Sequence, residues 1–380
     1  MKRVCTLIII GTLCLSLAGC GWFDGSYVSV KPHWEPKQDI QSDTLSASDY
    51  LGLIDAMGEM IAKGTEEAPI VVADYRSGAV EAGMDIAVEY LMKTDPLGAY
   101  ALEGVEYELG TSGGLPALAV KLSYSHTRAQ IQRIRTVADI AAARQVLADA
   151  LDSFATEMVV YVESYEPTDF IQAVQDYAAQ YPQRVMETPQ VTEVLYGSGS
   201  GRGRVVELQF SYQTSRDSLR QMKRQIQPVF DAASLYVSGS GSQRQKFSQL
   251  FGFLMERFDY TYETSLTPAY SLLSHGVGDS RAFATVYAAM CRGADLECRT
   301  VTGTCDGEPR TWNIIVDNGQ YFHVDLLKSH ESGQLKLSRD WEMTGYVWDY
   351  SSYPACVGAA AEEEPTEAST APETTAEPTE

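Results

Sequence analysis

The sequence predicts an α+β protein built from two repeated β-α-β-β-α modules followed by a third, distinct α+β domain. Three observations carry this. Ile70-Val71-Val72 recurs as Met158-Val159-Val160, and Ser123-Tyr124 as Ser211-Tyr212, both 88 residues further on. Val205-Val206-Glu207-Leu208-Gln209-Phe210 has the period-2 alternation of a half-buried strand. Phe283, Val286, Tyr287, Met290 and Cys291 fall at the three-to-four spacing of a buried helix face.

The chain opens on Lys2 and Arg3, then an apolar run from Val4 to Leu17 that is too short to span a bilayer. Leu17-Ala18-Gly19-Cys20 closes the run and resembles the lipobox of bacterial lipoproteins. That resemblance implies a signal peptide over 1–19, cleavage before Cys20, and a diacylglycerol on the Cys20 thiol. The expected localisation is the extracytoplasmic face of a bacterial membrane, with the lipid as the link to it. Residues 20–45 are polar, include Pro32 and Pro36, and read as a spacer.

The first repeat module is expected over 46–150 and the second over 151–238. In each, a short apolar strand leads to an amphipathic helix, around Met84–Leu91 and Phe170–Tyr177. Two strands follow across a Gly-rich turn: Val105–Leu109 with Leu118–Tyr124, and Val191–Tyr196 with Val205–Tyr212. Closing helices are expected from Arg128 and from Ser215. The cluster Gly197 to Gly203 lacks the Lys-Ser/Thr of a phosphate loop and reads as a hairpin connection. Neither module gathers His, Cys and carboxylates, so both read as spacer or interaction domains.

The third domain is expected over 239–357. Helices are read over Phe247–Phe258 and from Ser280. Strands follow at Cys298–Gly303, Arg310–Val316 and Tyr321–Leu327, the last two joined by Asn318-Gly319 as a two-residue hairpin turn. Residues 358–380 consist of Ala, Glu, Pro, Thr and Ser around an initial glycine, with seven acidic side chains, and are expected to be disordered because nothing in them can offset ordering entropy by burial.

Charge narrows the function classes. The 380 residues contain 29 Lys+Arg against 51 Asp+Glu, a net charge of −22. Such a surplus argues against nucleic acid, which needs clustered cations, and would repel anionic lipid head groups, so membrane attachment needs a lipid. Of seven cysteines, Cys5 and Cys14 lie in the signal and Cys20 carries the lipid, leaving Cys291, Cys298, Cys305 and Cys356. Outside the cytoplasm these can form disulfides, and the spacing leaves the pairing open. No C-x-x-C, H-E-x-x-H, P-loop or EF-hand pattern occurs, so neither metal nor other cofactor is expected.

The run Ala269-Tyr-Ser-Leu-Leu-(x)4-Gly278-Asp-Ser-Arg-Ala-Phe-Ala284, the stretch Gly303-(x)6-Arg310-Thr-Trp-Asn-Ile-Ile-Val316, and Tyr321-Phe-His-Val-Asp325 resemble the bacterial transglutaminase-like domains. About 110 of the 380 residues share in this resemblance. It implies a papain-like α+β fold with a Cys-His-Asp triad: cysteine at a helix N-terminus, histidine opening a His-Ala-Trp-Asn strand, aspartate on the next strand. Carried onto this chain, the cysteine position is Ser280, the histidine position is Arg310, and Asp325 alone matches.

The chemistry of those replacements is plain. A helix N-terminus and a neighbouring imidazolium make a cysteine a thiolate, whereas a serine needs a general base within hydrogen-bond reach. Arginine stays protonated and cannot be that base. Ser280, Arg310 and Asp325 therefore read as vestigial triad positions with no catalytic role. Arg310 is expected diagonal to Asp325 in the hairpin, roughly 7–8 Å apart in backbone, and paired with it through its long side chain. Ser280 reads as the helix cap. Trp312, Asn313 and His323 are expected to line the cleft.

The function so implied is non-catalytic binding of a peptide, a protein or cell-wall material by a pseudoenzyme. One alternative is a hydrolase or acyltransferase using Ser280 with a relocated histidine, His323 or His275. The other is a structural surface component with no ligand site.

Overall fold

In a computed structural model, the chain is described over residues 44–358 apart from 77, 199–202 and 238. The expected signal peptide, Cys20, the expected spacer up to residue 43, the acidic tail after Gly358 and the centre of the Gly197–Gly203 cluster lie outside the described residues.

The first sheet is formed by β1 (Leu45–Ser46), α1 (Tyr50–Lys63), β2 (Glu67–Val71), α2 (Val80–Lys93), α3 (Pro96–Ala101), β3 (Leu102–Ser112), β4 (Leu115–Tyr124) and α4 (Arg128–Gln132). Its strand order is β1-β2-β4-β3, with β1 parallel to β2 and the other pairs antiparallel. The second sheet uses β5 (Arg135–Asp139), α5 (Ile140–Asp152), β6 (Glu157–Ser164), α6 (Phe170–Gln180), β7 (Gln190–Tyr196), β8 (Arg204–Ser211) and α7 (Arg216–Tyr236). Its order is β5-β6-β8-β7, again with one parallel pair, β5 with β6.

One expected helix is therefore two elements and a strand. The helix from Arg128 ends at Gln132 after one turn closed by a Thr127/Gln130 capping box. Arg135-Thr136-Val137-Ala138-Asp139 then pairs with β6, burying Thr136 and Val137. Asp139 restarts the helix by accepting from Ala142 N–H at 2.9 Å, as Asp49 does from Gly52 N–H at 2.8 Å before α1. The sequence periodicity of 140–152 is helical, and reading it back through β5 overlooked a strand of five residues.

The remaining elements are α8 (Gln243–Met255), β9 (Asp259–Tyr260), α9 (Pro268–His275), β10 (Val277–Gly278), α10 (Ser280–Gly293), β11 (Cys298–Cys305), β12 (Glu308–Asp317), β13 (Gln320–Val324), α11 (Leu326–Ser332) and β14 (Tyr346–Trp348). β13-β12-β11-β14 form an antiparallel sheet. Both tight hairpins have two consecutive positive-φ residues, Asp306 (53°) with Gly307 (88°) and Asn318 (51°) with Gly319 (76°). That is the backbone that matches the right-handed strand twist.

α10 is the centre of the domain. Ten of its fourteen residues are buried, more than the single stripe the periodicity implied, because α8, α9, α7 and the sheet surround it. Ile226, Phe230 and Ala233 of α7 join Phe247, Leu254, Phe283, Tyr287 and Ile315 in one core. The helix expected to close the second module thus packs its apolar stripe into the third domain. The other sheet face, with Val301, Trp312 and Ile314, is covered by Met343, Tyr346, Trp348 and Cys356.

Candidate functional site

Local chain chemistry sets the positions of Ser280, Arg310 and Asp325. Asp279, not Ser280, is the N-cap of α10, accepting from Ala282 N–H at 2.8 Å. A carboxylate there also faces the positive end of the helix dipole. Ser280 is the first helical residue, and its hydroxyl accepts from Thr311 N–H at 3.2 Å, which fastens the helix start to β12. No histidine bonds this hydroxyl among the described residues.

Arg310 grips Asp325 with two parallel bonds, Nε to Oδ2 and Nη2 to Oδ1, both 2.8 Å. The strand expected to run to Leu327 stops at Val324, and Asp325 caps α11 instead, accepting from Leu327 N–H at 2.9 Å and Lys328 N–H at 3.0 Å. Tyr346 donates a fifth bond at 2.7 Å. Burial works to raise the Asp325 pKa. The bonds and charge of Arg310, with the Lys328 N–H and the Tyr346 hydroxyl, outweigh it and hold the carboxyl below its ordinary value. Burial opposes the charge on Arg310 as well, yet Asp325 carries its pKa above the ordinary arginine value. Burial raises the Tyr260 pKa, and the nearby charge of Arg310 works against that rise.

Trp312, Asn313 and His323 do not line an open cleft: they are 0, 0 and 1% exposed. Asn313 lies between sheet and helix, donating from Nδ2 to Ala284 O at 2.9 Å. Trp312 Nε1–H donates to His323 Nδ1 at 3.0 Å, which leaves the imidazole proton on Nε2, 2.8 Å from Asp340 Oδ1. Asp340 in turn accepts from Cys356 N–H at 3.1 Å to both oxygens. His323, Asp340 and Cys356 offer ligand atoms within 4.8 Å of one another. A cation at Nε2 would need the proton moved to Nδ1, where it would oppose the Trp312 donor, so the cluster reads as a hydrogen-bonded chain. Burial depresses the His323 pKa, and the bond and charge of Asp340 only partly offset this. His275 ends α9 and stands edge-on to the Tyr270 ring, 5.3 Å between centroids.

The open feature lies beside Ser280, at Arg281 and Thr311, on the α10 side of the sheet. A groove of about 660 Å³ runs between the second α+β unit and the third domain. Gln190 and Gln213 form one wall, and Arg281, Thr285, Thr300 and Thr311 the other. The two units are joined by Arg292, whose guanidinium bonds Gln180 O and lies over the Tyr181 ring at 4.9 Å. Its lining is neutral and hydroxyl-rich, with Arg281 the exposed cation and the Glu187 carboxylate engaged by Gln213 and Thr214 N–H groups at 2.6 and 3.0 Å. Sequence patterning gave no sign of this groove, of Tyr260, Tyr346 or Asp340, because each reaches the site from a distant segment.

Comparison with known proteins bears on the third domain. Residues 231–326 match the transglutaminase-like superfamily, so the third domain is transglutaminase-like. No curated protein matches the chain. Among solved structures, a TGase is 9% identical with a TM-score of 0.26, over 45% of this chain and 50% of that one. A candidate cysteine protease from Cytophaga hutchinsonii is 15% identical with a TM-score of 0.25, over 39% of this chain and 66% of its own. A candidate protease from Parabacteroides distasonis is 9% identical with a TM-score of 0.21, over 67% and 39%. The chain thus spans between 39 and 66% of these structures' own lengths.

Two outcomes test the site. Arg310→Met leaves a buried carboxylate without its cation and is expected to destabilise by about 3 kcal/mol in chemical denaturation, as buried pairs lose when one partner is removed. The double variant Arg310→Met/Asp325→Asn is expected to recover most of that loss, a coupling read from the double-mutant cycle. His323 has a depressed folded pKa, so its contribution is complete above the ordinary value of 6.5 and is lost as pH falls below it. The denaturant midpoint is therefore expected to drop from pH 7 to pH 5, and His323→Gln, whose amide oxygen can still accept from Trp312, to flatten that slope.

Proposed function

We propose that this protein is a membrane-anchored extracytoplasmic lipoprotein whose transglutaminase-like domain binds peptide chains, from cell-wall stems or from proteins, without cutting or joining them. The observation that carries the non-catalytic reading is the state of the triad positions. Asp325 is fully engaged by Arg310, Tyr346 and two backbone N–H groups, and the Ser280 hydroxyl faces an N–H donor instead of a base. Both His323 nitrogens are engaged elsewhere, which weighs against a relocated Ser-His pair. The groove beside Ser280 supports the binding reading: its Thr hydroxyls and Gln amides suit the alternating donors and acceptors of an extended peptide backbone.

Attachment to a membrane is proposed through lipid on Cys20. No helix among the described residues is long and apolar enough to cross a membrane. Cys20→Ala is expected to move the protein from the membrane fraction to the soluble one, read by fractionation and immunoblot. Retention in the membrane would count against the anchor.

Capture on immobilised muropeptides and on a display library of extended peptides tests the groove. Arg281→Glu and Thr302→Trp alter exposed groove positions. Each is expected to weaken capture by tenfold or more with the unfolding midpoint unchanged. Equal capture by wild type and both variants would remove the ligand from this groove. Labelling of Ser280 by a fluorophosphonate probe would overturn the non-catalytic reading.

A further inference from the structure

The four cysteines among the described residues are free thiols, and the sheet divides them into two groups. Along β11 side chains alternate between the faces. Cys298 sits opposite Ile315, which belongs to the core around α10, so it points at that helix. Cys305, seven residues on, is on the other face, packed against the cluster of Trp312, Trp348 and Cys356. Cys291 is in the last turn of α10, within the same core as Cys298. A four-strand sheet therefore separates Cys291 and Cys298 from Cys305 and Cys356.

The connection from Cys291 to Cys298 is short and strongly folded back. Leu296 N–H bonds Cys291 O at 2.9 Å, and Asp295 takes a left-handed φ of 57° to make the turn. This leaves the two thiols as neighbours in one buried core, on the same side of the sheet, with Tyr287 packed in that core beside them. Cys305 and Cys356 have separate neighbours: Cys305 Sγ lies 3.7 Å from Asp306 Oδ2, and Cys356 Sγ lies 3.9 Å from Pro354 O.

We infer that Cys291 and Cys298 are a disulfide-forming pair that fastens the C-terminal end of α10 to the first residue of β11. Oxidation joins the two sulfurs. The two electrons and two protons pass to a disulfide-bearing oxidant, whose own S–S bond is broken to two thiols. Cys291 is fully buried and Cys298 nearly so, so exchange takes place while the chain folds, before α10 is covered. With Ser280 bonded to β12 at the other end, the bridge clamps α10 to the sheet at both termini. The pairing follows from the fold. Its setting in the cell rests on the extracytoplasmic location proposed above, where disulfides persist.

Tryptic mapping suits the test, because each cysteine falls in its own peptide: 282–292, 293–299, 300–310 and 340–380. The full chain is refolded with a glutathione/glutathione-disulfide buffer, alkylated and digested without reductant. A cross-linked 282–292/293–299 pair is expected, together with a fall of about 5 °C in the unfolding midpoint on adding reductant. The Cys291→Ala/Cys298→Ala variant is expected to show one midpoint with and without reductant. Recovery of both peptides alkylated, or of either joined to 300–310 or 340–380, overturns the pairing. A bridge formed in the buffer but absent from protein taken from producing cells supports the pairing and counts against the extracytoplasmic location.

Discussion

A carboxylate buried at the end of a strand must find enough donors to replace its water shell, or it will not stay ionised. Asp325 finds five, drawn from three parts of the fold. Arg310 comes from the neighbouring strand, Tyr346 from the segment that returns to cover the sheet, and two N–H groups from the helix that Asp325 itself starts. The ion pair thus holds β12, β14 and α11 to one point. An imidazole at position 310 would be shorter and would change charge near neutral pH. A guanidinium reaches the same carboxylate with two parallel bonds and stays charged at all accessible pH.

The polar groups behind the pair follow the same pattern of being used up by structure. Trp312, His323, Asp340 and the Cys356 N–H form a connected set of hydrogen bonds beneath the sheet, with the His323 and Cys356 donors converging on Asp340. In such a low-dielectric setting a satisfied network favours one packing, whereas any member left over would be costly. The chain joins the β12–β13 hairpin to the final residues of the folded part. Gly303 is required for this cover: a Cβ there would run into the backbone of β14 and the Trp312 ring.

The open surface lies at the junction between units. α7 places its apolar stripe in the core of the third domain, and Arg292 reaches back to Gln180 and Tyr181. Those contacts set one wall of the groove against the other and bring Arg281 and Thr311 to its floor beside Ser280. A binding function in this region therefore depends on the second α+β unit as much as on the transglutaminase-like domain.

Much of this was legible in the chain itself. The periodicity of 280–291, the Asn318-Gly319 turn and the strands around Trp312 are local signals, and local backbone chemistry suffices to fix them. The spacing from Arg310 to Asp325 across a two-residue hairpin likewise brings the two charges together, because register in a tight hairpin leaves little choice. Where several local readings compete, the sequence alone could not choose. Arg135–Asp139 is a strand only because β6 offers it a parallel partner, and Ser280 is not the cap because its hydroxyl is taken by the Thr311 N–H of β12 while Asp279 accepts from Ala282 N–H. The sequence by itself determined a helix-and-hairpin domain with Ser280 at a helix start and Arg310 within reach of Asp325 across the hairpin. Only the tertiary structure decided that Trp312, Asn313 and His323 are interior, and that the accessible groove lies between units. Burial and long-range donors are properties of packed surfaces, and no short stretch of chain specifies them.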